Sequence, residues 1–159
     1  MQISIVRPAL WKVIAGATVV TGILDISDAF IFYGLRGIAP VRILHSIASG
    51  VLGRPAYSMG YRSAALGMAF HFFIALCAAS VFLIASRKLP LGGHPLLFGT
   101  LYGIGLYCVM NYVVLPLTNV VPRPKFMLIP FINGVAALIF CIGIPLAFIA
   151  RRHISQQRS

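Results

Sequence analysis

Four long apolar segments limit what this chain can fold into. They cover residues 10–33, 64–86, 96–118 and 127–150, and each exceeds the roughly 20 residues that an α-helix needs to cross a bilayer. Hydrocarbon offers no partner to an unpaired backbone group, so runs of this length can span it only as helices. We therefore predict an all-α membrane protein with four transmembrane helices in one bundle. Residues 1–159 are expected to form a single transmembrane domain.

The composition agrees with this class. Hydrophobic residues make up 60% of the chain and charged residues 9%, whereas soluble domains carry roughly 25% charged residues. The net charge of +11 does not indicate nucleic-acid binding, because the basic residues are dispersed between the apolar segments, where Lys and Arg contact lipid headgroups. The lipid bilayer is therefore the expected partner. The chain also shows no metal-ligand spacing, and no metal or cofactor is expected; its cysteines are interpreted as packing residues, at Cys77, Cys108 and Cys141.

The first segment has a competing interpretation as a cleavable signal peptide. In that interpretation Arg7 and Lys12 supply the basic region, Val13–Leu24 the apolar region, and Ser27–Ala29 a small-residue cleavage site. Apolar character resumes at Phe30, however, and this favours a retained membrane span.

The same segment holds the only two acidic side chains of the protein, Asp25 and Asp28, against 13 Lys and Arg. A carboxylate near the middle of a bilayer costs about 2.5–3.5 kcal/mol on insertion scales. At about 100° per residue, both carboxylates share one helix face with Thr18 and Thr21. This stripe is expected to face protein or water, and Asp25 is expected to be functional. For Asp28 a simpler alternative is an ion pair with an arginine of the first loop, Arg36 or Arg42.

Residues 40–53 are too polar to span the membrane and predict a short amphipathic helix. Four polar residues share one face of it and apolar residues share the other, the polar ones being Arg42, His45, Ser46 and Ser49. At 1.5 Å per residue such a helix reaches only about 20 Å. It is expected either to lie on the membrane or to re-enter it partway and line a cavity.

The strongest polar residues of the four spans fall at one level of the membrane. Relative to the span midpoints, Asp25 and His71 are displaced toward the first loop, and two asparagines are displaced toward the third. With four crossings these loops lie on the same side, so all four residues lie roughly 5–8 Å from the midplane. We predict an intramembrane polar layer, roofed by residues 40–53, that contains Asp25, Asp28, His71, Asn111 and Asn133.

Within this layer Asp25 and His71 are expected to face each other as a coupled pair. Both lie on polar or small-residue faces at nearly equal depth, and consecutive helices are usually neighbours. For Asn111 and Asn133 the favoured interpretation is ordinary hydrogen bonding between helices. Gly99 and Gly103 have the GxxxG spacing of close helix packing, which is expected inside one bundle rather than between two copies.

Several short features resemble the YagU-like group of small bacterial inner-membrane proteins. They are the Gly67-x3-His71 run, the turn RKLP, the Gly99/Gly103 span ending in Leu115-Pro116-Leu117, and the Pro-rich turn before a span ending in Arg151-Arg152. The resemblance implies a helical bundle in a bacterial inner membrane and no assigned activity. Where that group has a His in the third span and an acidic residue with a His in the fourth, this chain has Asn111 and Asn133. It therefore carries over no metal or proton site.

Three function classes are compatible with these features. A small transporter, channel or proton-linked protein would use the polar layer. An accessory or assembly subunit would pack its small-residue faces against a larger membrane complex or a second copy of itself. A membrane enzyme is the least favoured class, because GxSxG, HExxH, CxxC and phosphate-loop motifs are missing from the sequence and no catalytic residue can be named.

The distribution of cations gives a small preference for one orientation. The N-terminal tail, second loop and C-terminal tail carry seven Lys and Arg, namely Arg7, Lys12, Arg87, Lys88, Arg151, Arg152 and Arg158. The first and third loops carry six, namely Arg36, Arg42, Arg54, Arg62, Arg123 and Lys125. The positive-inside rule then predicts both termini in the cytoplasm.

Overall fold

The computed structural model describes residues 9–89, 91, 93–120, 122 and 126–158, without the side chains of residues 156–158. Its helices are α1 (Leu10–Gly34), α2 (Pro40–Leu52), α3 (Tyr61–Ala85), α4 (Pro95–Leu117) and α5 (Leu128–Ser155). These residues contain no strand. All helices except α2 are long and apolar enough to cross a membrane. The predicted all-α architecture, with a short helix between the first two spans, is confirmed.

Two helix ends differ from the predicted bounds by more than one residue. The helix α3 begins at Tyr61 rather than residue 64, directly after Gly60, whose φ of 58° turns the chain out of the preceding 3-10 turn Arg54–Tyr57. The helical backbone of α5 continues to Arg158, past the predicted end at residue 150. Arg151 and Arg152 favour this extension because cations near a helix C-terminus interact well with the helix dipole.

Wide helical turns interrupt α4 and α5 just ahead of a proline. A π-helical segment, Met110–Val114, precedes Pro116 in α4, and a second one, Leu138–Gly143, precedes Pro145 in α5. Proline removes one backbone hydrogen bond and clashes with the carbonyl four residues earlier. Widening the preceding turn relieves that clash while keeping most carbonyls bonded, as hydrocarbon requires.

Glycines bring α4 and α5 into backbone contact. A methyl group on Gly103 would lie 2.6 Å from the Cα of Ile139, and one on Gly99 would lie 2.8 Å from the Cα of Ile144. A methyl group on Gly143 would strike the carbonyl oxygen of Gly99. The GxxxG pair therefore packs inside the bundle, as expected. The helix α4 contacts mainly α5, and α5 also packs on α1 and α3.

The bundle is divided into an apolar half and a polar half. The apolar core joins the N-terminal half of α1 to the C-terminal parts of α3 and α5, where Phe82, Leu83 and Leu146 are fully buried. Asp25, Asp28, His71 and Asn133 lie beyond this core, toward the first and third loops. The large apolar side chains thus close the end of the bundle that faces the second loop.

The short helix α2 lies across the polar end of the bundle. The backbone carbonyl of Leu44 approaches Gly67 of α3 so closely that a methyl group there would collide with it. At the other end of α2, the Asn119 N–H donates to the Gly50 carbonyl at 2.9 Å. The helix therefore connects α3 to the segment that follows α4, on the side of the first and third loops.

Candidate functional site

The site is centred on a carboxylate and an imidazole from consecutive spans. The Oδ2 atom of Asp25 on α1 lies 3.9 Å from Nδ1 of His71 on α3. The side chain of His71 is 11% exposed and that of Asp25 is 24% exposed. The distance exceeds a hydrogen bond but permits strong charge attraction in a medium of low dielectric constant. The structure thus brings the two residues together, as the sequence predicts.

A backbone carbonyl fixes the orientation of the imidazole. Nε2 of His71 donates to the carbonyl oxygen of Gly22 at 2.8 Å. A carbonyl oxygen can only accept a hydrogen bond, so Nε2 must carry a hydrogen. The other ring nitrogen, Nδ1, is the one that faces Asp25.

This arrangement has a consequence for protonation. A neutral imidazole with its hydrogen on Nε2 presents a lone pair at Nδ1, and an ionised carboxylate also presents lone pairs. These two groups repel each other unless one of them carries an additional proton. One additional proton removes this repulsion, either on Nδ1 of His71 as an ion pair or on Asp25 as a neutral pair.

Small residues on the facing helices make this approach possible. A methyl group on Gly22 would lie 2.6 Å from the ring of Phe72, the residue next to His71, and 3.5 Å from the Cβ of Ala75. Thr18 and Thr21, on the same stripe of α1, are buried and donate to carbonyls of their own helix. The polar stripe therefore turns toward the bundle interior, and its hydroxyl groups need no partner from α3.

The second acidic residue binds the fourth span. Nδ2 of Asn133 on α5 donates to Oδ2 of Asp28 at 2.8 Å. Arg36, one of the alternative partners of Asp28, instead donates to the Phe32 carbonyl and lies over the Phe32 ring. Asp25 and Asp28 therefore connect α1 to two different neighbours, α3 and α5.

Asn111 does not join these contacts. Its Nδ2 donates to the Tyr107 carbonyl of its own helix at 3.0 Å, at the start of the wide turn. This corrects the expectation that Asn111 bonds a neighbouring helix, while its place in the polar layer stays a prediction. Side-chain amides and hydroxyls inside a helix often bond a carbonyl of the preceding turn, which is the local alternative that Asn111 takes here. A polar link from α4 to α3 comes instead from Tyr102, whose hydroxyl donates to the Ala78 carbonyl at 2.7 Å.

The predicted polar face of α2 is divided between two environments. His45 and Ser49 are buried, with Nε2 of His45 donating to the Gly60 carbonyl at 2.9 Å and the Ser49 hydroxyl donating to the Ser46 carbonyl. Arg42 and Ser46 are exposed. The polar face of α2 is therefore buried in part and exposed in part.

Sequence reasoning missed the part played by Gly22. Its carbonyl orients His71, yet a backbone acceptor leaves no signal in side-chain periodicity. The sequence did contain one signal. Gly22 lies one turn before Asp25, and a small residue on that face allows a neighbouring helix to approach closely. In the described part of the chain, no group of three or more His, Cys, Asp or Glu side chains could hold a metal ion.

Comparisons with known proteins identify no relative of this chain. The resemblance to the YagU-like group stays an expectation from the sequence, and Pro90 of its RKLP turn lies outside the described residues. No protein-family model, curated protein or solved structure matches the chain.

Proposed function

We propose that this membrane protein is a small proton-linked transporter or channel in which Asp25 and His71 hold the transferred proton. The supporting observation is their 3.9 Å approach, with Nε2 of His71 committed to the Gly22 carbonyl. Ionisable residues inside spans are costly, and those that form proton relays are characteristically acidic residues and histidines. In this proposal Asp25 exchanges the proton and His71 is its partner.

The surroundings favour proton entry from one side. Asp25 keeps 24% of its side chain exposed, whereas Phe82 and Leu83 are almost completely buried in the apolar half beyond it. A proton arriving from the side of the first and third loops meets polar groups before it meets this core. Release to the opposite side requires the apolar half to open, as in alternating access.

Proton flux into liposomes tests this proposal. We expect the purified protein, reconstituted in liposomes that contain a trapped pH dye, to accelerate internal pH change when a pH gradient and a potassium-diffusion potential are applied. Asp25→Asn should reduce that rate at least about 10-fold because the exchanging carboxylate is lost.

The matched control is Asp28→Asn, which removes the other carboxylate of the same helix but leaves the Asp25–His71 pair intact. It should retain most of the flux. Equal loss in both variants would contradict a specific role for the pair. A wild-type rate equal to that of empty liposomes, under gradients of either direction, would contradict transport altogether.

The second candidate is an accessory subunit of a larger membrane complex, and it draws support from α4. Only 11% of the most apolar stretch of α4 is buried inside the bundle, against 28% of the corresponding stretch in each of the other spans. Purification in a mild detergent separates the two candidates. A stoichiometric partner together with no flux favours the subunit, and a lone species that conducts favours transport.

We further propose a bacterial inner-membrane location with both termini in the cytoplasm. The resemblance to the YagU-like group favours the location, and the small cation excess on that side with the Arg151-Arg152 pair at the end of the last span favours the orientation. Three of the counted cations lie outside the described residues, namely Arg7, Arg123 and Lys125. A C-terminal fluorescent fusion should be active and an alkaline phosphatase fusion inactive. The reverse result refutes this orientation, and activity of both indicates dual insertion.

A further inference from the structure

We infer that the membrane surface beside α2 binds a phosphate group between Arg42 and Arg54, and that an anionic lipid headgroup supplies it. A depression of about 420 Å³ lies there, lined by Arg42, Arg54, Tyr57 and Pro122. This volume falls within the roughly 300–1,000 Å³ of ordinary ligand sites. The inference concerns a second site, separate from the Asp25–His71 pair.

Three chain segments build this depression. Arg42 lies in the first turn of α2, and Arg54 and Tyr57 belong to the 3-10 turn that follows Gly53, whose φ of 65° reverses the chain. Pro122 comes from the connection between α4 and α5. The bond from the Asn119 N–H to the Gly50 carbonyl holds that connection against α2. The two arginines are thus positioned by the fold and are not simply neighbours in sequence.

Neither Arg42 nor Arg54 has a carboxylate partner among the described residues. Arg42 and Arg54 are exposed, and within the described residues no carboxylate lies within 4 Å of either guanidinium. The protein has only two acidic side chains. Asp25 is taken by His71 and Asp28 by Asn133, both inside the spans. Two unpaired cations that line one depression favour an external anion there.

Phosphate suits this position better than other anions. The planar fork of an arginine matches phosphate oxygens with two parallel hydrogen bonds. The depression is lined by the segments that follow α2 and α4, and the ends of membrane-spanning helices are where lipid headgroups and tyrosine side chains meet.

An adjoining depression adds room for the rest of a headgroup. It measures about 400 Å³, shares Arg54 with the first, and is lined also by Leu52, Thr118 and Asn119. Hydroxyl and amide groups of Thr118 and Asn119 are suitable partners for a polar headgroup such as glycerol. Arg54 therefore lies between a phosphate position and a polyol position.

Lipid titration of the purified protein tests the inference. In detergent, phosphatidylglycerol should raise the thermal midpoint of the wild-type protein, while phosphatidylcholine should not. The double variant R42Q/R54Q should need at least about 10-fold more phosphatidylglycerol for the same shift. R54Q alone should show an intermediate loss, which keeps the test usable if the double variant folds poorly.

The matched control is R36Q/R62Q. It removes two exposed arginines, one from the turn after α1 and one from the first turn of α3, and neither residue lines either depression. The same titration is repeated with inorganic phosphate and with glycerol phosphate in place of the lipid. A shift with phosphatidylglycerol that only R42Q/R54Q loses supports a lipid site. A shift with soluble phosphate but not with lipid supports the phosphate site and overturns its lipid source. Equal loss in both double variants, or no shift with any ligand, overturns the inference.

Discussion

His71→Ala is expected to lower the free energy of unfolding by about 2–4 kcal/mol, close to the value for breaking a buried ion pair. Asp25→Asn should cost less, about 1–2 kcal/mol, because Asp25 is partly exposed and the amide keeps its shape. The double variant should cost clearly less than the sum of the two, since each single variant already removes the same contact. Unfolding by dodecyl sulfate in mixed micelles measures all three values.

His45 supplies the matched control for this cycle. It is as buried as His71 and makes the same kind of bond, from Nε2 to the Gly60 carbonyl at 2.9 Å. No carboxylate is within 4 Å of it in the described part of the chain. His45→Ala combined with Asp25→Asn should therefore be additive. Strict additivity of His71→Ala with Asp25→Asn would contradict the coupled pair.

Gly103→Ala is expected to destabilise the α4–α5 contact by about 1–3 kcal/mol, the usual cost of overpacking. The added methyl group would lie 2.6 Å from the Cα and 2.8 Å from the backbone nitrogen of Ile139. Backbone atoms cannot rotate away as a side chain can, so the helices must separate. Gly103→Leu should lose the contact entirely.

Gly105 on the same helix is the control. A methyl group there meets no atom within 4 Å. Gly105→Ala should be neutral or stabilising by up to about 1 kcal/mol, because alanine has the higher helix propensity. Thermal unfolding in detergent compares the two variants directly. Similar midpoints for Gly103→Ala and Gly105→Ala would show that α4 does not pack on α5 through Gly103.

The spans and the approach of Asp25 to His71 could be predicted because both depend on simple periodicities. A run of apolar residues specifies a membrane helix by its length. A fixed rise of 1.5 Å per residue gives the depth of every side chain along such a helix. To predict the approach of Asp25 to His71, only these two rules and the tendency of consecutive helices to be neighbours were needed.

Asn111 and α2 show where such reasoning ends. Asn111 bonds the Tyr107 carbonyl of its own helix at the start of a wide turn, and periodicity at 3.6 residues per turn cannot express such a turn. Which face of α2 is buried depends on the helix that it packs against. The close contact between Leu44 and Gly67 is made by backbone atoms. Both outcomes depend on tertiary packing, which hydrophobic patterning does not specify.

The direct test of the central claim, that Asp25 and His71 hold one proton between them, is the ¹⁵N NMR spectrum of the His71 imidazole in lipid bilayers. The signal is assigned among the four histidines by its loss in His71→Gln. We predict a hydrogen on Nε2 in both the wild-type protein and Asp25→Asn, and an Nδ1 signal that differs between them. A bare Nε2 with the hydrogen on Nδ1, or an Nδ1 signal unchanged by Asp25→Asn, would contradict the claim.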